Sequence, residues 1–284
     1  MQLVHTAADL AEQISAAKAQ GKKVSLVATM GALHAGHLSL VELARTYSDF
    51  VVVSIFVNPK QFGANEDFDR YPRTLDADLA ALATMEHPAE LVFAPSVEQV
   101  YPPDIDVPEK SAGVIAQVYE GAARPGHFNG MLTVVARLFQ LVQPDVAVFG
   151  EKDAQQLFLI RQMAASDFPH LRIIAGETKR ESSGLAMSSR NRYLNPEQTD
   201  IAEILAITLA TIPQLISGGR SITQSLAIGR EMISGEPETR LEYLALVDPG
   251  TFEPVSENHS GPALLIVAAT VGGVRLIDNH SFEI

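Results

Sequence analysis

The feature that most constrains this fold is a repeated alternation along the first 180 or so residues. Short, predominantly apolar runs occur at Val24–Ala28, Phe50–Phe56, Leu91–Ala94, Val146–Phe149 and Arg172–Ala175, and each reads as a buried strand. Between them, apolar residues recur at helical spacing over about 38–48, 75–86, 129–143 and 153–166. Apolar strands alternating with amphipathic helices indicate a parallel sheet covered on both faces. The expected fold is therefore α/β, a Rossmann-like doubly wound parallel sheet. A helix opens the chain, with Thr6 and Asp9 as a capping pair and Gly21 as its stop. The Pro-rich stretch from Pro95 to Ala123 reads as a long loop with a short helix.

The pattern changes after about Lys179. Asn195-Pro196 with Gln198 reads as the start of one helix running toward Leu215, and Ser221 with Gln224 caps another. Leu241–Val247, Leu264–Thr270 and Val274–Ile277 follow as strands, the last two joined by a turn at Gly272-Gly273. This predicts a smaller C-terminal α+β domain over 180–284, after a nucleotide-binding domain over 1–179.

The 284 residues carry 21 basic and 34 acidic side chains, a net charge of −13. A protein that binds nucleic acid through its phosphates has the opposite balance, so no nucleic-acid partner is expected. No uninterrupted apolar stretch is long enough to span a bilayer, and the first residues lack a secretory leader pattern. The chain has no cysteine, which removes disulfides, thiolate metal sites and cysteine nucleophiles. A cytoplasmic location without membrane contact is the expectation.

Open α/β sheets bind ligands beyond the carboxyl ends of their strands. Thr29, Met30, Gly31, His34 and His37 follow the first run; Asn58, Pro59, Lys60, Gln61 and Phe62 follow the second. Pro95 and Tyr101 follow the third, and Gly150, Glu151, Lys152 and Asp153 the fourth. Lys179, Arg180 and then Met187-Ser188-Ser189-Arg190 follow the fifth. Cations and hydrogen-bonding groups thus collect at one sheet edge. His34-Ala35-Gly36-His37 places two imidazoles on one face of a first helical turn, where backbone N–H groups and the helix dipole favour phosphate. A lone His-x-x-His also reads as structural or incidental; zinc is a further alternative, but it requires a third ligand, and the surroundings are not His-Glu-x-x-His. Gly150 to Asp153 also reads as a solvated turn with Asp153 as a helix cap. Gln61 and Gln156 suit hydroxyls or a carboxylate, and Arg124-Pro125-Gly126-His127 reads as a loop before the helix, its role open.

Longer blocks carry a family resemblance. Thr29 to His37, Ser54 to Gly63 with Glu66-Asp67-Phe68 and Tyr71-Pro72-Arg73-Thr74, and Arg124 to Phe128 are three of them. Gln143-Pro144-Asp145 through Asp153 to Leu157, Ser188 to Asn191 and Arg275 to Asn279 complete the set. Together they resemble the pantothenate synthetases (pantoate–β-alanine ligases) of the His-x-Gly-His nucleotidylyltransferase superfamily. The resemblance implies an ATP-dependent, magnesium-using homodimer. In the implied reaction, pantoate attacks the α-phosphorus of ATP and expels pyrophosphate. The amine of β-alanine then attacks the pantoyl adenylate, giving pantothenate and AMP. His34, His37 and Lys152 become the implied catalytic residues, with His37 donating a proton to the departing group. Met30, Gly31, His34, His37, Gly150, Lys152, Asp153, Lys179, Met187, Ser188, Ser189 and Arg190 become the implied ATP contacts, with Asp153 also near magnesium. Gln61, Gln156, Met30 and Asn58 are the implied substrate contacts. The chain departs from the family pattern at Ala28, Lys179 and Glu181–Gly184. A nucleotidylyltransferase with a stable acceptor and a non-catalytic nucleotide-binding module are the competing readings.

Overall fold

A computed structural model of the protein describes residues 1–63, 66 and 68–284; Asp67, in one of the resembling blocks, lies outside the described residues. The chain divides into two compact units, Met1–Glu151 with Leu159–Glu177, and Lys152–Phe158 with Thr178–Ile284.

In the first unit, β1 (Gln2–Val4), β2 (Val24–Thr29), β3 (Phe50–Ile55), β4 (Leu91–Phe93), β5 (Val146–Gly150) and β6 (Arg172–Gly176) form one sheet. Its order is β1-β4-β3-β2-β5-β6, and every pairing is parallel. Val24, Leu26, Val27, Val51, Val52 and Val53 are fully buried, as central strands covered on both faces require. From β2 the chain builds outward through β3 and β4, then restarts at β5 on the other side. The β2/β5 pair is thus the topological switch point, where such sheets bind ligands.

The helices are α1 (Ala7–Ala19), α2 (Ala35–Arg45), α3 (Leu75–Ala83), α4 (Val97–Val100), α5 (Glu120–Ala123), α6 (His127–Val142) and α7 (Ala154–Asp167), the last divided between the units. Thr6 caps α1 through the Asp9 N–H at 3.1 Å, and Gly21 follows it at φ +73°. The chain does not open with that helix, however: β1 precedes it and pairs with β4 in register Gln2↔Leu91. Three residues are too few to show a strand period. The stretch from Pro95 to Ala123 holds α4, a 3₁₀ turn at Gly113–Gln117 and α5 rather than a single short helix.

In the second unit, α8 (Pro196–Ala202), α9 (Ile204–Ser217) and α10 (Ile222–Ser234) pack on the antiparallel strands β7 (Thr239–Val247), β8 (Pro262–Val271) and β9 (Val274–Glu283), ordered β7-β8-β9. The expected single helix from Asn195 to Leu215 is two helices. The Glu203 N–H reaches the Asp200 carbonyl at 3.3 Å, a tightened turn that no glycine or proline in the sequence announces. The Gly272-Gly273 hairpin forms with both residues at positive φ, +55° and +82°, as a type I′ turn requires. Residues 196–217 are long and apolar enough to cross a membrane by composition. In this fold their apolar face supplies core: Leu205, Leu209 and Ile212 are buried with Ile233, Leu244, Leu265 and Val267.

Candidate active site

The turn after β2 is built around a buried carboxylate. Asp78, on α3, is 2% exposed and accepts the backbone N–H groups of Ala32 at 3.0 Å and Leu33 at 2.8 Å. Thr74 Oγ1 donates to the same carboxylate at 3.3 Å. Gly31 and Ala32 both have positive φ, +81° and +52°, so the chain curls around the acid. A Cβ on Gly31 would lie 2.9 Å from Asp78 Oδ2. Glycine is therefore required here both for its backbone conformation and for space.

This turn delivers His34 as the N-cap of α2, which begins three residues earlier than the periodicity suggested. The Gly36 N–H donates to His34 Nδ1 at 3.2 Å, and the His34 N–H donates to His37 Nδ1 at 3.3 Å. The first turn is therefore not left with all its N–H groups open, because the two imidazoles cap it reciprocally. A backbone N–H can only donate, so both Nδ1 atoms are acceptors and both neutral rings carry their proton on Nε2. The rings lie 4.1 Å apart, centroid to centroid. The pair thus combines two Nε2–H donors with the positive end of a helix dipole.

The turn after β3 carries the residues expected to hold an acid. Asn58 caps the 3₁₀ turn Pro59–Gln61. Asn58 and Gln61 are 1% and 7% exposed and share a hydrogen bond of 3.1 Å, and Gln61 Nε2 lies 2.9 Å from Met30 Sδ. Met30, Asn58 and Gln61 are thus brought together.

Behind them stands α6, entered through the Arg124–His127 stretch. Arg124 makes a paired contact with Glu66 at 2.9 and 2.6 Å and approaches His127 Nε2 at 3.1 Å. A guanidinium only donates, so Nε2 accepts and Nδ1–H donates to the Gln61 carbonyl, 2.8 Å away. Burial, with Arg124 as the second cause, pushes the His127 pKa down to about 4. Burial raises the Glu66 carboxyl, but the hydrogen bonds and charge of Arg124 outweigh it and hold it below the usual range. Gly130 lets the helix approach: a Cβ there would meet the Lys60 carbonyl at 1.9 Å.

The remaining predicted residues, apart from Gly150, belong to the second unit. Gly150 ends β5, opposite Gly176 of β6. Lys152 and Asp153 follow at the start of α7, where the Asp153 carbonyl accepts the Leu157 N–H at 2.9 Å, and Gln156 lies in the first turn. The Lys152 carbonyl is held by Asn279 Nδ2 at 2.8 Å. Next to Asn279, the buried Asp278 carboxylate pairs with Arg180 at 2.6 and 2.9 Å. Arg180 bridges to Ala186, and the Met187 N–H meets the Lys179 carbonyl at 2.9 Å, so a short hairpin presents Met187–Arg190. Ser188 Oγ caps the 3₁₀ turn Ser189–Tyr193 by accepting from the Arg190 N–H at 3.2 Å. The Lys179 side chain is exposed.

Asp78, Gly130 and Asn279 were not identified from the sequence as site residues. Asp78 left one trace, an acid one helical turn from the buried Leu82. Among the described residues, no three His, Cys, Asp or Glu side chains group to form a metal site. The His34–His37 pair is thus not part of a three-ligand zinc centre within those residues.

Comparison with known proteins identifies the family and the fold. The family described as pantoate-beta-alanine ligase matches residues 2–281. A pantothenate synthetase of Leifsonia xyli is 49% identical over 279 residues, covering 98% of this chain and 96% of the relative. The crystal structure of pantothenate synthetase from Thermus thermophilus superposes with a TM-score of 0.91 at 44% identity, covering 99% of each chain. A pantoate-beta-alanine ligase from Francisella tularensis, described as complexed with beta-gamma ATP and beta-alanine, gives a TM-score of 0.78 at 32% identity, covering 99% of this chain and 97% of that one. The chain belongs to the pantoate–β-alanine ligase family.

Proposed function

We propose that this enzyme condenses pantoate with β-alanine at the expense of ATP, through a pantoyl adenylate, and so makes pantothenate. The carrying observation is the pair of fixed tautomers at His34 and His37, after one strand, and a buried carboxamide pair suited to an acid after the neighbouring parallel strand. A carboxylate is already a nucleophile, so the first step needs alignment and charge neutralisation rather than a strong base. One pantoate oxygen forms a bond to the α-phosphorus while the bond to pyrophosphate breaks. The β-alanine nitrogen then bonds to the acyl carbon, and AMP leaves with that oxygen.

In this reading Gln61, Asn58, Met30 and Gln156 hold the acid. His34 and His37 donate their Nε2–H groups to phosphate oxygens as charge develops, and His37 protonates the departing group. Lys152 adds a full positive charge. Gly31 and Gly150 allow close backbone approach, and Met187, Ser188, Ser189, Arg190 and Lys179 contact the nucleotide. Magnesium bound with ATP relies on substrate phosphates and one or two carboxylates rather than on a protein cage. Asp153, half-buried at the head of α7, fits as its single protein carboxylate, and the ion would neutralise phosphate charge. A cytoplasmic homodimer with residues 180–284 closing over ATP completes the proposal.

The test is pyrophosphate release with ATP and pantoate, with and without β-alanine. Release that requires pantoate, and amide that requires β-alanine, are expected. A stable nucleotidylated product that persists with β-alanine present would overturn the reading in favour of a nucleotidylyltransferase. ATP binding without pyrophosphate release would leave a binding module.

A further inference from the structure

The direction of every hydrogen bond around Gln61 can be deduced. Asn58 is saturated. Its Oδ1 faces the Lys60 backbone N–H at 3.3 Å and the Tyr101 hydroxyl at 2.9 Å, and its Nδ2 faces the Gly130 carbonyl and Gln61 Oε1, both at 3.1 Å. A backbone N–H only donates and a backbone carbonyl only accepts. These two groups fix which end of the Asn58 amide is oxygen. The Tyr101 hydroxyl must then donate to Oδ1, and the Gln61 atom facing Nδ2 must be its oxygen. The Gln61 NH2 therefore turns the other way, where its neighbour is Met30 Sδ at 2.9 Å. Thioether sulfur is a weak acceptor, easily replaced by a ligand oxygen.

Tyr101 is well placed for this role. Burial raises its pKa, which keeps the hydroxyl a neutral donor. Its ring packs against Phe56, and Lys60 Nζ sits 4.4 Å over its face. We propose that Tyr101 is a positioning residue for the acid substrate: together with the Lys60 N–H and the Gly130 carbonyl, its hydroxyl holds Asn58 in the place from which Asn58 Nδ2 keeps the Gln61 oxygen and leaves only N–H donors turned to the ligand. The site therefore selects a ligand that presents oxygen acceptors, a carboxylate or hydroxyl, and rejects one that presents an ammonium group there. This rests on the reading of Gln61 as a pantoate contact.

The experiment measures pantoate affinity by calorimetry and the KM for ATP in Tyr101→Phe, Gln61→Ala and the double variant. Tyr101→Phe should weaken pantoate about ten-fold and leave the KM for ATP and the melting temperature nearly unchanged. In the Gln61→Ala background the same change should cost less than about two-fold, because the carboxamide it orients is gone. Asn58→Asp should weaken pantoate roughly a hundred-fold. It removes the Nδ2 donor, so the Gln61 NH2 turns to the new carboxylate and its oxygen faces the ligand. Unchanged pantoate affinity in Tyr101→Phe, or an equal loss in both backgrounds, would overturn the proposal. If Gln61→Ala itself leaves pantoate affinity intact, the underlying site reading fails, and the proposal fails with it.

Discussion

The Asp78 carboxylate accepts the Leu33 backbone N–H at 2.8 Å, one residue before His34. A buried acid on α3 thereby sets where the first imidazole of the His34–His37 turn begins. Asp78→Asn keeps the shape but replaces one acceptor by a donor, leaving a buried N–H of the turn without a partner. Such an orphan costs about 1–3 kcal/mol. Urea unfolding should report that loss, and kcat/KM for ATP should fall with it. Unchanged values of both would show that the turn holds itself.

Two glycines should resist even alanine. Gly31→Ala puts a side chain at φ +81° against Asp78. Gly130→Ala puts one where the Lys60 carbonyl already is. Each should destabilise by more than about 1 kcal/mol. Gly130→Ala should also weaken pantoate more than ATP, since it displaces the turn carrying Asn58 and Gln61. Equal effects on the two substrates would argue against that link.

Acid should weaken the fold in two successive windows. The folded His127 has its pKa lowered to about 4, below its unfolded value near 6.5, so the unfolded chain binds the extra proton first. Its contribution is fully present above about pH 6.5 and is lost as pH falls toward 4, by roughly 3 kcal/mol at most. The Glu66 carboxyl is also lowered, so its contribution is lost below about pH 4.5. His127→Gln should flatten the pH dependence of unfolding free energy between 6.5 and 4 while leaving the lower window. A variant as steep as the parent would contradict the assignment.

Asn279→Ala releases the Lys152 carbonyl without touching the Lys152 side chain. If Asn279 positions that lysine, kcat should fall while pantoate affinity holds. Lys152→Ala and His34→Ala, which remove donors outright, should each cost roughly 10²–10³ in kcat. Near-full turnover in both would refute their assigned roles. Steady-state kinetics decides.

The apolar strands and the glycine-rich turns were legible because their signals are local: runs of valine between Val24 and Val53, and Gly272-Gly273 between two strands. That Met30, Asn58 and Gln61 follow the ends of two strands was legible in the order of the apolar runs. The contacts of Asp78 and Tyr101 were not, because their partners Leu33 and Asn58 are 45 and 43 residues away along the chain. The same holds for β1, whose partner β4 lies some 90 residues on. The break at Glu203 was hidden for another reason: a single tightened turn leaves the apolar spacing of α8 and α9 intact. His127 was visible as a residue, but its work is done through the Gln61 carbonyl, which no sequence pattern displays.

The central claim is that the acid's own oxygen attacks the α-phosphorus of ATP. The most direct measurement supplies pantoate with isotopically heavy carboxylate oxygen, together with ATP and β-alanine, and weighs the AMP released. Adenylation predicts that each AMP carries one heavy oxygen. AMP without the label would show that the acid is activated by another route and would contradict the account.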